Sequence, residues 1–281
     1  MTIKEVFNQT KKSLEEKNFI LSPDKEASLI IRDVLNLSLK DFLLLQDEYI
    51  IKKKEIDKIK IIVKKRLKGD SLASILNKKE FFDLEFFVNK NVLIPRPETE
   101  LLIEIFLQKM DKASSFKILD IGTGSGILSI VLSNYYKEST FIAIDKSKKA
   151  LRVAKINIKR LCKNNNIILL HKDFFKYKPD FKFDIIISNP PYIPSDDTKN
   201  LLKSKTISDP EMSLNGGKDG LNFYRHLYNF ATLYLKNNGS ILIEHGYRQQ
   251  DKIVEIFKND YNIERFKDFA DNPRALYMLK R

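Results

Sequence analysis

Tryptophan is absent from this 281-residue chain, cysteine occurs once and histidine three times. The lone thiol, Cys162, excludes an intramolecular disulfide and favours a reducing compartment. His171, His226 and His245 stand in no ligand spacing with one another or with the cysteine, which argues against a metal site. No apolar run approaches the length needed to cross a bilayer, and the opening residues, Met1 to Phe7, are too charged for the apolar region of a secretory signal. A cytoplasmic protein with no membrane attachment is the expectation. Negative charge is also in short supply, with 37 acidic against 50 basic residues and a formal net charge of +13. An acidic partner such as nucleic acid would explain this. So would an AT-rich genome, which enriches Lys, Ile, Asn and Phe and removes Trp without any selection for charge. Charge alone does not choose between them.

The most informative residues are Asn189-Pro190-Pro191-Tyr192, which close the apolar run Phe183 to Ser188. A buried strand ending this way leaves a side-chain amide, a prolyl carbonyl and an aromatic face at the carboxyl edge of a sheet, where open α/β sheets bind ligands. Such a set suits a planar amine. The amide oxygen of Asn189 and the carbonyl of Pro190 can each accept one N–H of an NH2 group while Tyr192 stacks on its plane. Asn-Pro is also a common turn dipeptide, so a simple strand-breaking turn is the competing reading.

Upstream, Lys117 to Ile121 reads as a short buried strand that runs into Gly122-Thr123-Gly124-Ser125-Gly126, followed by an apolar helix from Ile127 to Tyr135. Glycines let the backbone turn sharply and approach a ligand, and a helix N-terminus offers unpaired N–H groups to a carboxylate. The G-x-G-x-G spacing differs from the G-x-G-x-x-G of dinucleotide binders. A second strand, Thr140 to Ile144, ends in Asp145 about twenty residues after the loop, where an acidic residue accepts ribose hydroxyls. A helix N-terminal role is the alternative for Asp145, with Ser147 also able to cap.

Up to about Asn77 the pattern is helical. Ser22-Pro23-Asp24 reads as a capped helix start, with Ala27, Ile30, Ile31, Val34 and Leu35 on one face. Ile56, Ile59, Val63 and Leu67 form a second stripe, and the basic residues around it, Lys58, Lys60, Lys64, Lys65 and Arg66, read as a solvated face. Phe81 to Val88 and Val92 to Ile94 then suggest a hairpin turning at Asn89-Lys90-Asn91. The remainder alternates β and α and ends in a hairpin around Asp271-Asn272-Pro273. That alternation predicts an α/β, Rossmann-like, mainly parallel sheet with helices on both faces and a terminal antiparallel hairpin at one edge.

Val92 to Glu100, Asp120 to Gly126, Asn189 to Ile193, Gly217 to Leu221 and Glu244-His245-Gly246 fall in the order seen in one family. Together they resemble the class I S-adenosylmethionine-dependent methyltransferases, and more narrowly the peptide chain release factor glutamine methyltransferases (PrmC/HemK family). The resemblance implies a seven-stranded sheet and S-adenosyl-L-methionine as methyl donor. It further implies release factors as protein substrates, modified at the glutamine of Gly-Gly-Gln. It implies that Gly122, Thr123, Gly124, Ser125, Gly126 and Asp145 hold the cofactor and that Phe174 packs beside adenine with Asp173 near its amino group. Asn189, Pro190, Pro191 and Tyr192 would hold the substrate, with Asn189 also touching the cofactor and Asn189, Pro190 and Tyr192 acting in catalysis. Residues 1–78 would be a helical substrate-recognition domain, 79–95 a linking hairpin and 96–281 the methyltransferase domain. Glu98 and Thr99 would either line the cofactor's mouth or cap the following helix. Departures from the family pattern lie at Gly69 to Asn77 and at Asp83, before the catalytic region.

Exocyclic amines of nucleobases are planar NH2 groups too, so a methyltransferase acting on RNA or DNA is the alternative function. The Ile94 to Glu100 stretch and the helical N-terminal part favour the protein substrate over nucleic acid. A basic RNA-binding adaptor without catalysis is disfavoured by intact Gly122, Gly124, Gly126, Asp145 and Asn189.

Overall fold

A computed structural model describes residues 1–204 and 208–281. The chain divides into two compact units, Met1–Asn77 with Leu201–Ser208, and Lys78–Asn200 with Asp209–Arg281. The first is helical: α1 (Ile3–Glu15), α2 (Pro23–Leu35), α3 (Leu39–Leu44), α4 (Lys53–Leu67) and α5 (Leu72–Leu76). A capping box closes the start of α1, where Thr2 accepts from the Glu5 amide and the Glu5 carboxylate accepts from Thr2. Ile3, Val6, Leu14, Ala27, Ile30, Ile31, Ile59 and Val63 form its core. Proline opens α2, but the Ser22 side chain makes no cap bond. On α4 the lysines are exposed as expected, whereas Arg66 is buried. Its guanidinium grips both carboxylate oxygens of Glu26 at 2.7 and 3.1 Å and lies over the Phe19 ring. A bidentate pair over an aromatic face removes Arg66 from the solvated set that its neighbours suggest.

The second unit begins with a hairpin, β1 (Lys79–Phe81) and β2 (Leu84–Phe86). Its turn is Phe82-Asp83, both at positive φ, and not Asn89–Asn91; Val92 to Ile94 form no strand. Two consecutive left-handed residues match the right-handed twist of a tight hairpin. The aromatic run conceals this turn because Phe82 is an unusual occupant of such a position.

Next come α6 (Glu100–Lys109), β3 (Lys117–Ile121), α7 (Ile127–Tyr135), β4 (Thr140–Asp145), α8 (Lys148–Leu161), β5 (Ile167–His171), β6 (Phe183–Ser188), α9 (Ser195–Lys203), α10 (Asn222–Tyr234), β7 (Leu235–Glu244), α11 (Gln250–Phe257), β8 (Tyr261–Lys267) and β9 (Pro273–Lys280). The sheet has seven strands in the order β5-β4-β3-β6-β7-β9-β8. Strands β3 to β7 are parallel, and β9 is antiparallel to both of its neighbours. The terminal hairpin therefore adds its second strand inside its first, leaving β8 at the edge. After β3 the chain builds outward through β4 and β5, then returns to place β6 on the other side of β3. This reversal opens a crevice at the carboxyl ends of β3 and β6, where doubly wound sheets bind ligands. No helix among the described residues is long and apolar enough to cross a membrane.

Candidate active site

A cleft of about 340 Å³ opens at that crevice, lined wholly by the second unit. Gly122 and Gly124 lie on it from the loop after β3, Asp145 and Ser147 from the end of β4, Asp173, Phe174 and Phe175 from beyond β5, and Asn189, Pro190 and Pro191 from the end of β6. Strand ends, spread along the sequence, deliver all of them.

The glycine loop divides its labour. Gly122 has φ +72°, and a Cβ there would meet no protein atom within 4 Å. The space beside its Cα is thus open, and a molecule could approach this backbone closely. Gly126, at φ +85°, begins α7 instead, and a Cβ would crowd Ile130 at 3.0 Å and Ala154 of α8 at 3.4 Å. Thr123 and Ser125 are buried behind the cleft. The Thr123 and Ser129 hydroxyls donate to the same Asp120 oxygen at 2.7 and 2.6 Å, pinning the loop to the end of β3 and the start of α7. Burial nevertheless pushes the Asp120 carboxyl up to about 6, and its other oxygen has no partner among the described residues. Asn157 of α8 ties the region together, donating to the Ser125 and Phe87 carbonyls at 2.9 Å and accepting from the Phe87 amide at 2.7 Å. Nothing in its sequence neighbourhood marks that role.

Asp145 is half-buried and accepts from the Gly124 amide at 3.0 Å and the Ser147 amide at 2.7 Å. The capping of α8 is left to Ser147, whose hydroxyl accepts from Ala150 at 3.1 Å. Burial raises the Asp145 carboxyl while the two amides pull it back. Each carboxylate oxygen retains a lone pair for a further donor. Phe174 is buried in an aromatic cluster with Phe223, His226 and Phe230, and Asp173 caps the short turn after β5 by accepting from Phe175 at 3.1 Å.

At the end of β6 the Asn189 side chain donates through Nδ2 to the Thr99 hydroxyl at 2.8 Å. Thr99, fully buried, donates in turn to Glu244 Oε2 at 2.7 Å. It makes no side-chain cap bond to α6. The Tyr192 hydroxyl donates to the other Glu244 oxygen at 3.3 Å, and Tyr192 does not line the cleft. Burial lifts the Glu244 carboxyl to about 7 against the pull of Thr99 and Arg274, and lifts the Tyr192 phenol well above its usual range. Glu244 reaches this place through strand register: β6 and β7 are parallel with Ser188 beside Ile243, so Asn189 and Glu244 leave adjacent strand ends side by side. A carboxylate terminating an apolar strand, Ile241-Leu242-Ile243-Glu244, was the available signal.

The Asn189 to Tyr192 turn is itself held from behind. Ile193 exchanges backbone bonds with Leu214 and Gly216 at 2.9 and 2.8 Å, and Gln249 donates to the Tyr192 carbonyl at 2.8 Å. A Cβ on Gly220 would sit 2.3 Å from that carbonyl, and one on Gly216 would sit 2.8 Å from the Tyr192 Cα. Asp209 secures the other wall, accepting from the Ile94 amide at 2.9 Å and pairing with Arg96.

A parallel-antiparallel sheet of this order, with a glycine loop after its first parallel strand and an Asn-Pro-Pro turn facing it, defines a Rossmann-like methyltransferase. Residues 99–227 match the methyltransferase small domain family, and residues 5–76 match the PrmC N-terminal domain. A methyltransferase crystal structure from Pyrococcus furiosus shares the fold, with a TM-score of 0.53 and 20% identity over 77% of this chain and 96% of that one. A release factor glutamine methyltransferase of Fusobacterium nucleatum subsp. nucleatum is 35% identical over 98% of this chain and 78% of its own length. A bifunctional methyltransferase of Rickettsia felis is 32% identical over 98% of this chain, which spans 57% of that longer relative. The chain belongs to the release factor glutamine methyltransferase family.

Proposed function

We propose that the enzyme transfers a methyl group from S-adenosyl-L-methionine to the side-chain amide nitrogen of the glutamine in the Gly-Gly-Gln motif of peptide chain release factors, in the cytoplasm. The carrying observation is the Asn189-Pro190-Pro191 turn lining the same cleft as Gly122, Gly124 and Asp145. The donor supplies an electrophilic methyl on a sulfonium that leaves as a neutral thioether, so no general acid is required. The cleft fits such a molecule: open space over Gly122 admits a close backbone approach, Asp145 has lone pairs for two hydroxyls, and Phe174 offers an apolar wall with Asp173 beside it. Thr123, Ser125 and Gly126 support the loop from behind.

An amide nitrogen is a weak nucleophile because its lone pair is delocalised into the carbonyl. Asn189 Oδ1 and the Pro190 carbonyl, accepting both N–H groups, orient the nitrogen and stabilise the positive charge that develops on it. Pro191 stiffens the turn, and Tyr192 braces it through Glu244. The proton leaves to water after transfer. The helical unit, Met1–Asn77 with Leu201–Ser208, serves to hold the release factor.

Replacing Asn189 by Ala tests this reading. Methyl transfer to a release factor should fall by at least about a hundredfold, the loss typical of a missing charge-stabilising group, while calorimetry shows cofactor affinity retained. Transfer at the parent rate would defeat the mechanism.

A further inference from the structure

The side-chain amide of Asn189 can face the cleft with either end, and only its oxygen can accept an N–H from an incoming NH2 group. We infer that Thr99 and Glu244 are positioning residues that select this orientation by fixing the direction of every hydrogen bond behind Asn189. The inference rests on the substrate reading above and deepens it.

Thr99 has one hydroxyl proton. Glu244, 2% exposed, accepts it at 2.7 Å through Oε2. An ionised carboxylate has no proton to return, so the Thr99 oxygen presents only lone pairs toward Asn189. The NH2 end is the only end of the amide that can meet a lone pair, and it does so at 2.8 Å. The carbonyl end is thereby left for the cleft. Tyr192 completes the set by donating to the second Glu244 oxygen, so both carboxylate oxygens are committed as acceptors. The reverse polarity would put the Asn189 NH2 against the substrate NH2, donor against donor, and no productive grip would form.

Other groups around Glu244 hold its charge in balance. Arg274 of β9 attracts it, and Arg274 is itself shared with Asp268 at 3.2 Å. Glu98, from the turn before α6, repels it. Tyr224 of α10 donates to the Glu244 backbone carbonyl at 3.0 Å, outside the relay, and His245 turns its Nδ1 to the Gly246 carbonyl at 2.9 Å. The carboxyl titrates at about 7 because burial outweighs these attractions. Below that pH it carries a proton, can donate to Thr99, and allows the Thr99 proton to turn toward Asn189 and reverse the amide. Transfer therefore weakens as pH falls through about 7 and is strongest above it.

The test compares single-turnover methyl transfer to a release factor across pH for the parent, Thr99→Val, Thr99→Ser, Glu244→Gln and Asn189→Ala, with cofactor affinity and melting temperature measured on each. Thr99→Val should lose about tenfold to a hundredfold in rate, as removal of an orienting partner does elsewhere, with cofactor affinity unchanged. Thr99→Ser, which keeps the hydroxyl, should recover most of the rate. Glu244→Gln should be slow and should lack the acid limb of the parent profile. Parent-like transfer by Thr99→Val, equal losses in the Val and Ser variants, or an acid limb that survives in Glu244→Gln would each overturn the relay. If Thr99→Val does not fold, the Ser variant and the Glu244→Gln profile decide alone. Full activity in Asn189→Ala would sink the substrate reading itself, whereas an inactive Asn189→Ala beside an unaffected Thr99→Val sinks only the relay.

Discussion

Asp145 orders the glycine loop and also lines the cleft. Its two oxygens already accept the Gly124 and Ser147 amides, which orders the glycine loop against the end of β4. The remaining lone pairs face a cleft of ligand size. Replacement by Ala should weaken cofactor affinity by about tenfold to a hundredfold, the worth of one to two polar contacts at about 1.4 kcal/mol per decade. Part of that loss comes from a loosened loop. Isothermal calorimetry checks it, and unchanged affinity would remove the ribose assignment. Asp145 and Asn189 were legible in the sequence because each ends an apolar strand with a residue that a strand interior would not tolerate. Thr99 and Glu244 were not legible as partners. The Thr99–Glu244 contact joins residues 145 positions apart, from the turn before α6 and the end of β7, and the pairing of β6 with β7 sets Asn189 beside them; none of this leaves a local pattern.

Among elements, the loop from Asn215 to Leu221 explains why glycines are concentrated so far from the Gly122 to Gly126 loop. Gly216 and Gly220 let this loop lie directly on the backbone of Pro191 and Tyr192. Gly220 has φ +74° and no room for a methyl group. Gly220→Ala should combine left-handed strain of roughly 1–2 kcal/mol with the clash. The expected outcome is a lower melting temperature together with a transfer rate reduced at least several-fold, because the turn carrying Asn189 must shift. An unchanged rate and melting temperature would show that the loop does not brace the turn. The parallel strands and their helices followed from periodicity. The first hairpin did not, because three-residue strands give too short a pattern and Phe82-Asp83 carries none of the usual glycine or asparagine turn chemistry. The terminal hairpin was visible, but not the insertion of β9 beside β7, since strand order within a sheet is set by tertiary packing. Helix α9 also escaped notice, its Ser195 to Lys203 sequence being mostly polar.

At the scale of the whole molecule, each of the two compact units has a hydrophobic core of its own. One cluster gathers the side chains of α1 to α4, and another packs the large sheet against α10 and α11 and reaches the cleft through Ile121, Ile144, Phe174 and Phe223. The excess of basic residues is compatible with an acidic partner, yet the turn from Asn189 to Pro191 is uncharged: the charged residues lining the cleft, Asp145, Lys146, Lys172 and Asp173, come from the ends of β4 and β5. On the proposed reading the site grips a flat NH2 group whatever carries it, so the identity of the carrier decides the function. Purified enzyme, labelled S-adenosyl-L-methionine, a release factor and RNA incubated in one mixture test it directly. Label is expected on the glutamine nitrogen of Gly-Gly-Gln and none on the RNA. Label on RNA bases with the release factor unmodified would contradict it.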